Sequence, residues 1–216
     1  MHPVLDGKKA IIFDLDGTLV DSFPDIQASI NYALRKRGLS ELSIEQVMEY
    51  VGSGVKVLIN GCIPTMSDEE FEAALADFRG YYAQHPVDLS RPYEGVEQAL
   101  VALSDFALGV LTNKPHGLAL EVLKQLNIDH YFKAIFGADS SSALKPDPAA
   151  MKQVLDALEA GAEQAVMVGD SWVDAAAAKA AGMQFVLVRT GMWKTVEVND
   201  DMVVLDQLKN LVNIEK

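Results

Sequence analysis

Acidic residues occur in two clusters, and each cluster directly follows a short apolar stretch. Asp14 and Asp16 come after the apolar residues 10–13, and Asp170 and Asp174 come after the apolar residues 165–168. Two carboxylates so close repel one another unless a cation or a shared proton lies between them. Carboxylate oxygens are also the ligands that Mg²⁺ prefers. If the fold brings both clusters together, the four acids predict a magnesium site.

Lys145 is the expected counter-charge to these acids. A lysine next to carboxylates is commonly a structural ion pair, but beside a magnesium site it could hold a phosphoryl oxygen and an aspartate together. Thr112 also follows an apolar stretch. Its hydroxyl could donate to a phosphoryl oxygen, or it could cap the start of a helix. Both residues fit phosphoryl chemistry without requiring it.

The apolar stretches have the length and composition of buried parallel strands. They occur at residues 9–14, 107–111, 134–136, 165–168 and 184–188, with a weak last one at 202–204. Helical apolar spacing occurs at 94–103, 116–126, 148–158 and 173–181. This alternation predicts an α/β fold, a Rossmann-like parallel sheet with helices on both faces. The polar clusters would then meet, because the carboxyl ends of parallel strands share one edge.

Residues 24–90 differ from the rest, because they contain helical patterns and no convincing strand. We therefore predict a catalytic core formed by residues 1–22 and 91–216, and an all-helical cap at residues 23–90. The loop Gly52-Ser53-Gly54 interrupts the helices of the cap and offers backbone N–H groups that could contact a substrate. The alternative is a plain turn between helices, with Lys56 as a solvated neighbour.

Composition excludes several classes of partner. Of the 216 residues, 50% are hydrophobic and 23% are charged, as in ordinary globular proteins. The net charge of −13 disfavours binding to nucleic acid or to an anionic membrane. No apolar run is long enough for a membrane span, and the first residues lack the order of a signal peptide. With a single cysteine, Cys62, the chain is expected in the cytoplasm.

The polar clusters resemble the four motifs of the haloacid dehalogenase superfamily of phosphohydrolases. The matching strings, in the right order, are FDLDGTLVDS at 13–22, TNK at 112–114, KPDP at 145–148 and GDSWVD at 169–174. The helical insertion resembles the small cap of that superfamily. Among the members of the superfamily, DSFPDI at 21–26 and GSGV at 52–55 resemble the corresponding strings of phosphoglycolate phosphatases. The resemblance implies an enzyme, a Mg²⁺-dependent phosphoric monoester hydrolase.

The resemblance also implies roles for individual residues. Asp14 would be the nucleophile that forms an aspartyl phosphate, and Asp16 the general acid and then the general base. Mg²⁺ would be held by Asp14, the Asp16 carbonyl and Asp170, with support from Asp174. Charge on the transferring oxygens would be stabilised by three polar residues, Thr112, Asn113 and Lys145. The substrate would be a small phosphorylated metabolite, such as 2-phosphoglycolate, and the protein a monomer or a homodimer.

Several alternatives share these features. Inorganic pyrophosphatases, sugar-phosphate phosphatases and phosphomutases of the same superfamily carry the same core motifs, although no histidine follows the first motif as it does in mutases. A phospho-accepting receiver module is disfavoured, because receivers are much shorter and need no lid. Their acceptor aspartate also does not follow the first strand of the chain, as Asp14 does here. A non-catalytic protein that binds a phosphorylated ligand would be expected to lack one of the motif acids or the lysine, and all are present here.

Overall fold

The computed structural model describes residues 1–63, 67–200 and 202–212. Its main sheet has six parallel strands in the spatial order β5-β4-β1-β6-β7-β8, and a separate antiparallel pair is formed by β2 and β3. The strands are β1 Ala10–Phe13, β2 Val20–Asp21, β3 Arg91–Pro92, β4 Ala107–Leu111, β5 Ala134–Phe136, β6 Ala165–Gly169, β7 Gln184–Val188 and β8 Val203–Leu205.

Helices cover both faces of the main sheet, and the alternation of side chains along β1 shows why. Ile11 and Phe13 belong to the apolar cluster on one face, and Ala10 and Ile12 to the cluster on the other. All four are fully buried, so the strand is apolar at every position rather than at every second one. The described helices are α1 Phe23–Arg35, α2 Ile44–Met48, α3 Val55–Cys62, α4 Asp68–Gln84, α5 Val96–Ala102, α6 His116–Gln125, α7 Pro148–Leu158 and α8 Trp172–Ala180.

The helices α1 to α4 lie between β2 and β3, so the described part of the insertion is helical. Helices α2 and α4 each begin with a capping box, in which Ser43 or Ser67 exchanges bonds with the residue three positions later. The chain enters through β2 and leaves through β3, which pair side by side. The buried carboxylate of Asp25 in α1 accepts bonds from the backbone N–H groups of Leu89 and Ser90 and from the Ser90 hydroxyl. Asp25 thus holds the segment that precedes β3 against helix α1.

The predicted α/β class is confirmed, and the differences in detail are small. The last strand is Val203–Leu205 and not 202–204, and the helix predicted at 94–103 is shorter, at Val96–Ala102. The two-residue strands β2 and β3 were not predicted. Among the described residues, no helix is both long enough and apolar enough to span a membrane.

Candidate active site

Three neighbouring strands deliver the polar clusters to one place. The central strand β1 pairs with β4 on one side and β6 on the other, all in parallel. Asp14 follows β1, Thr112 follows β4 and Asp170 follows β6. Phe13, the last residue of β1, is aligned with Val110 of β4 and Val168 of β6, so the three strands end at the same edge of the sheet. The expectation that the clusters would converge is therefore met by the backbone itself.

Three buried carboxylates meet at this edge. One oxygen from each of Asp14, Asp170 and Asp174 lies within 4.8 Å of the others. Asp174 lies in the first turn of α8. The Lys145 ammonium lies 2.8 Å from Asp14 Oδ1 and donates to Asp174 Oδ1 at 2.6 Å. The contact with Asp14 is an ion pair without the alignment of a hydrogen bond. Lys145 thus pairs with Asp14 and Asp174, and the three acids of the cluster outnumber it.

The pKa values reflect this excess of negative charge. Burial, and then the charge of Asp174, raises the pKa of Asp14 to about 7, although Lys145 opposes the shift. Burial and the charges of Asp174 and Asp14 raise the pKa of Asp170 well above its usual value. Burial alone would lower the pKa of Lys145, but the charges of Asp14 and Asp174 outweigh it and raise it. The site as built therefore favours an added cation.

The donor set fits a metal ion. Buried carboxylates in excess over lysine are costly unless a further positive charge compensates them. Oxygen donors of this kind suit a hard divalent cation and not a soft metal that prefers sulfur. The predicted ligands Asp14, Asp170 and Asp174 lie in the cluster. The side chain of Asp16 is not part of this cluster, and the metal contact expected of its carbonyl stays a prediction.

The Asp16 carboxylate faces the pocket beside the cluster. Its Oδ1 accepts a bond from the Ser22 hydroxyl at 2.6 Å. The Lys114 ammonium lies 2.9 Å from Oδ1 and 3.2 Å from Oδ2. Both Asp14 and Asp16 line the same pocket between the core and the helical insertion. Asp16 is thus held in place by Ser22 and Lys114, next to the predicted nucleophile Asp14.

Thr112 and Asn113 lie at the core side of this pocket. The Thr112 hydroxyl accepts the backbone N–H of Lys114 at 3.2 Å, which leaves its own hydrogen available to donate. The Asn113 amide donates to the carbonyls of Gly52 and Lys145, and its oxygen accepts the N–H of Lys145. Both N–H groups of this amide are therefore engaged by the protein. The substrate contacts expected of Thr112 and Asn113 stay predictions.

The loop of the helical insertion reaches the pocket through its glycines. Gly52 and Gly54 line it, while Ser53 is not among the lining residues. Both glycines have positive φ angles, of 96° and 93°, which side chains rarely adopt. Lys56 is exposed and lies outside the lining. The substrate contacts predicted for Gly52, Ser53 and Gly54 thus have a structural basis at two of the three positions and stay predictions.

Sequence reasoning missed the groups that hold Asp170. Its Oδ1 accepts the Thr18 hydroxyl at 2.6 Å, and its Oδ2 accepts the Met192 N–H at 2.7 Å. Gly17 and Gly191 approach the same carboxylate so closely that a Cβ on either would overlap it. Gly17 belonged to a motif, and its role could have been found there. Gly191 and Met192 follow β7, and no local signal connects them to an acid that follows β6.

Lys114 and Tyr82 were also missed. Lys114 was noted in the TNK string but given no role, and it is buried against Asp16. Its ammonium lies 4.3 Å from the ring centroid of Tyr82, which lies in α4 and is fully buried. Burial raises the pKa of Tyr82 to about 12. Trp172, which belongs to the GDSWVD string, has half of its surface exposed.

Comparison with known proteins agrees with this geometry. The family model described as haloacid dehalogenase-like hydrolase matches residues 11–188. A phosphoglycolate phosphatase of Neisseria meningitidis serogroup A is 37% identical over 198 residues, which are 88% of this chain and 84% of the relative. A phosphoglycolate phosphatase of Aquifex aeolicus is 34% identical over 196 residues, 90% of this chain and 89% of the relative.

Solved structures give the same picture. A crystal structure from Haemophilus somnus 129pt, described as a predicted phosphoglycolate phosphatase, superposes with a TM-score of 0.90 at 31% identity. The superposition covers 95% of this chain and 97% of the other. The similarity therefore includes both the sheet and the helical insertion.

Proposed function

The chain belongs to the haloacid dehalogenase-like hydrolase family, and from that premise we propose that it hydrolyses 2-phosphoglycolate in a Mg²⁺-dependent reaction. The observation that carries the chemistry is the cluster of Asp14, Asp170 and Asp174, in which Lys145 pairs with Asp14 and Asp174 and beside which Asp16 lines the same pocket as Asp14. The choice of substrate is supported by relatives named phosphoglycolate phosphatase that are similar over most of their length.

Asp14 is proposed as the nucleophile. Its carboxylate oxygen attacks phosphorus, the bond from phosphorus to the ester oxygen breaks, and Asp16 gives a proton to the departing alcohol. In the second half, Asp16 takes a proton from water as the water oxygen attacks phosphorus. The bond to Asp14 then breaks and inorganic phosphate leaves. Lys145, held between Asp14 and Asp174, is placed to stabilise negative charge on the phosphoryl oxygens.

Mg²⁺ is proposed to be held by Asp14, the Asp16 carbonyl and Asp170, with Asp174 in support. When bound, it would neutralise charge on the phosphoryl group and relieve the repulsion among the acids. Thr18 and the Met192 N–H orient the Asp170 carboxylate by their hydrogen bonds to it. Ser171 orients Asp174 in the same way, with its hydroxyl 2.6 Å from Oδ2.

We propose that residues 23–90 act as a cap that shields the reaction from bulk water. The pocket below this cap has a volume of about 50 Å³, which is room for about four water molecules. This space is too small for a phosphomonoester, so the cap would have to move to admit any of the candidate substrates. A cytoplasmic location, and a monomer or homodimer, stay predictions from the sequence.

Phosphate release from a panel of compounds tests the proposal. The panel contains 2-phosphoglycolate, pyrophosphate and several sugar phosphates, each assayed with Mg²⁺ and with EDTA, and the Asp14→Asn variant is the control for contaminating phosphatases. We expect 2-phosphoglycolate to be preferred, and release to stop with EDTA and in the variant. Preference for pyrophosphate or a sugar phosphate would keep the mechanism and reject the substrate. Absence of Mg²⁺-dependent release from every compound would favour a non-catalytic binding protein.

A further inference from the structure

A buried lysine in the pocket has no part in the reaction described above. Lys114 lines the pocket together with two acids, Asp14 and Asp16, and the other charged side chains at the cluster are acids or Lys145. Its side chain is 6% exposed. Most of the remaining wall is apolar, with Ile26, Val55, Leu58, Phe78 and Leu118 among its members. Among the residues that line the pocket, Lys114 is the cation.

The chemistry of a carboxylated substrate makes this position significant. In 2-phosphoglycolate, one methylene separates the carboxylate from the ester oxygen. Asp16 must reach that oxygen to protonate it, and it becomes negative as it gives up the proton, so the glycolate carboxylate then lies within a few ångströms of a second negative group. Like charges at that distance repel strongly in a buried site. A cation that contacts Asp16 is close enough to contact the substrate carboxylate too, and Lys114 lies 2.9 and 3.2 Å from the Asp16 oxygens.

We infer that Lys114 is a specificity-determining residue, which binds the carboxylate of a phosphomonoester when that carboxylate is one methylene from the ester oxygen. The inference deepens the proposed function and rests on it. An ammonium has three N–H donors, so contact with Asp16 leaves a donor for the substrate. The Tyr82 ring covers the ammonium from the cap side, at 4.3 Å from its centroid. Recognition of the carboxylate therefore takes place where core and cap meet.

Two alternatives to carboxylate binding by Lys114 predict different kinetics for its variants. If Lys114 only neutralises and orients Asp16, its loss would slow every substrate by a similar factor. If the charge that binds the carboxylate came from the cap, Lys56 would be the candidate. Lys56 lies in α3 near the glycine loop, but it is exposed and does not line the pocket.

These arrangements can be distinguished from carboxylate binding by Lys114 in a double-mutant-type cycle. In this cycle the charge of the substrate and the charge of the lysine are each removed, separately and together. The substrates are 2-phosphoglycolate and its neutral amide, 2-phosphoglycolamide, and the variants are Lys114→Met, Lys114→Gln and the control Lys56→Met. We expect the ratio of kcat/KM for the acid over the amide to fall by about 10- to 100-fold in Lys114→Met, which is the worth of one charge-assisted hydrogen bond. The glutamine variant can still donate to Asp16, so it should recover turnover of the amide but not the ratio. The control should keep the wild-type ratio.

The results that would overturn the inference are distinct from those that reject the proposed function. An equal loss for both substrates in Lys114→Met would assign the lysine to Asp16 alone, and a ratio that changes in Lys56→Met would move recognition to the cap. Should Lys114→Met fail to fold, the glutamine variant takes its place. Wild-type protein that hydrolyses the amide as well as the acid would refute carboxylate recognition without any variant. Wild-type preference for pyrophosphate or a sugar phosphate would instead reject the proposed substrate, and this inference with it.

Discussion

Binding of Mg²⁺ should stabilise the folded protein measurably, because the cluster it would join holds more negative charge than Lys145 can compensate. Asp14, Asp170 and Asp174 are all buried and within 4.8 Å of one another. The unfolded chain separates these acids and exposes them to water, so it has no comparable site. A ligand that binds the folded state alone raises the free energy of unfolding by mass action.

The size of the effect follows from chain length and occupancy. At a free Mg²⁺ concentration of about 100 times Kd, the gain is about 2.7 kcal/mol. For 216 residues, an unfolding entropy of about 2.1 cal/mol/K per residue gives about 0.45 kcal/mol/K. The midpoint temperature should therefore rise by about 6 °C. Mutation of one ligand should remove most of this rise.

The same site predicts how stability depends on pH. Burial and the charge of Asp174 raise the pKa of Asp14 to about 7, against an ordinary value of 3.8. The folded protein thus holds this proton more tightly than the unfolded chain does, and the metal-free protein loses stability as pH rises from about 4 to about 7. Mg²⁺ must displace the proton, so its stabilising effect should be smaller at about pH 5.5 than at about pH 8.

Thermal unfolding with Mg²⁺ and with EDTA, followed by circular dichroism, measures all of this. Asp170→Asn is the test variant, because asparagine can keep bonds to the Met192 N–H and to the Thr18 hydroxyl while losing the charge. Asp105→Asn is the matched control, since Asp105 is exposed and precedes β4 at the opposite edge of the sheet. A Mg²⁺ shift that is absent in wild type, or equal in wild type and Asp170→Asn, would refute the metal site.

Three further predictions concern single residues. Asp14→Asn should abolish phosphate release and leave the circular dichroism spectrum unchanged, and release at near the wild-type rate would remove Asp14 as nucleophile. Gly191→Ala should lose Mg²⁺ stabilisation as Asp170→Asn does, because a Cβ there would overlap the Asp170 carboxylate; an intact Mg²⁺ shift would show that the loop can yield. Asp25→Ala should lower the free energy of unfolding by about 2–4 kcal/mol in urea titrations, because the backbone N–H groups of Leu89 and Ser90 would lose their acceptor. A loss below about 0.5 kcal/mol would mean that water replaces the carboxylate.

Much of the fold could be predicted because its inner strands β1 and β6 are buried on both faces. Such strands are apolar at every position, as residues 10–13 are, and this pattern is local in the sequence. The pair β2 and β3 could not be predicted in this way. Each strand has two residues, and each exists only because it meets the other across about 70 positions of chain. Nothing in either segment alone favours a strand.

The candidate site divides along the same line. Asp14 and Asp170 could be placed together because each follows a strand, and parallel strands end at a common edge. The bond from the Met192 N–H to Asp170 joins loops that follow two different strands, so it depends on the loop path and not on any local pattern. The position of Lys114 against Asp16 likewise depends on the path of the loop between β4 and α6.

Asn113 shows how far the position of the cap and the core site depend on one another. Its side-chain amide connects the loop after β4 to two other segments. It donates to the Gly52 carbonyl of the cap, and it both donates to and accepts from the backbone of Lys145. Withdrawal of the cap loop would free one N–H of this amide, next to the pocket, while the bonds to Lys145 could persist. The same side chain can therefore hold the cap loop when the pocket is closed and present a donor to a substrate when it is open. If Asn113 binds substrate as predicted, that contact and the observed bond to the Gly52 carbonyl would compete for the same N–H group.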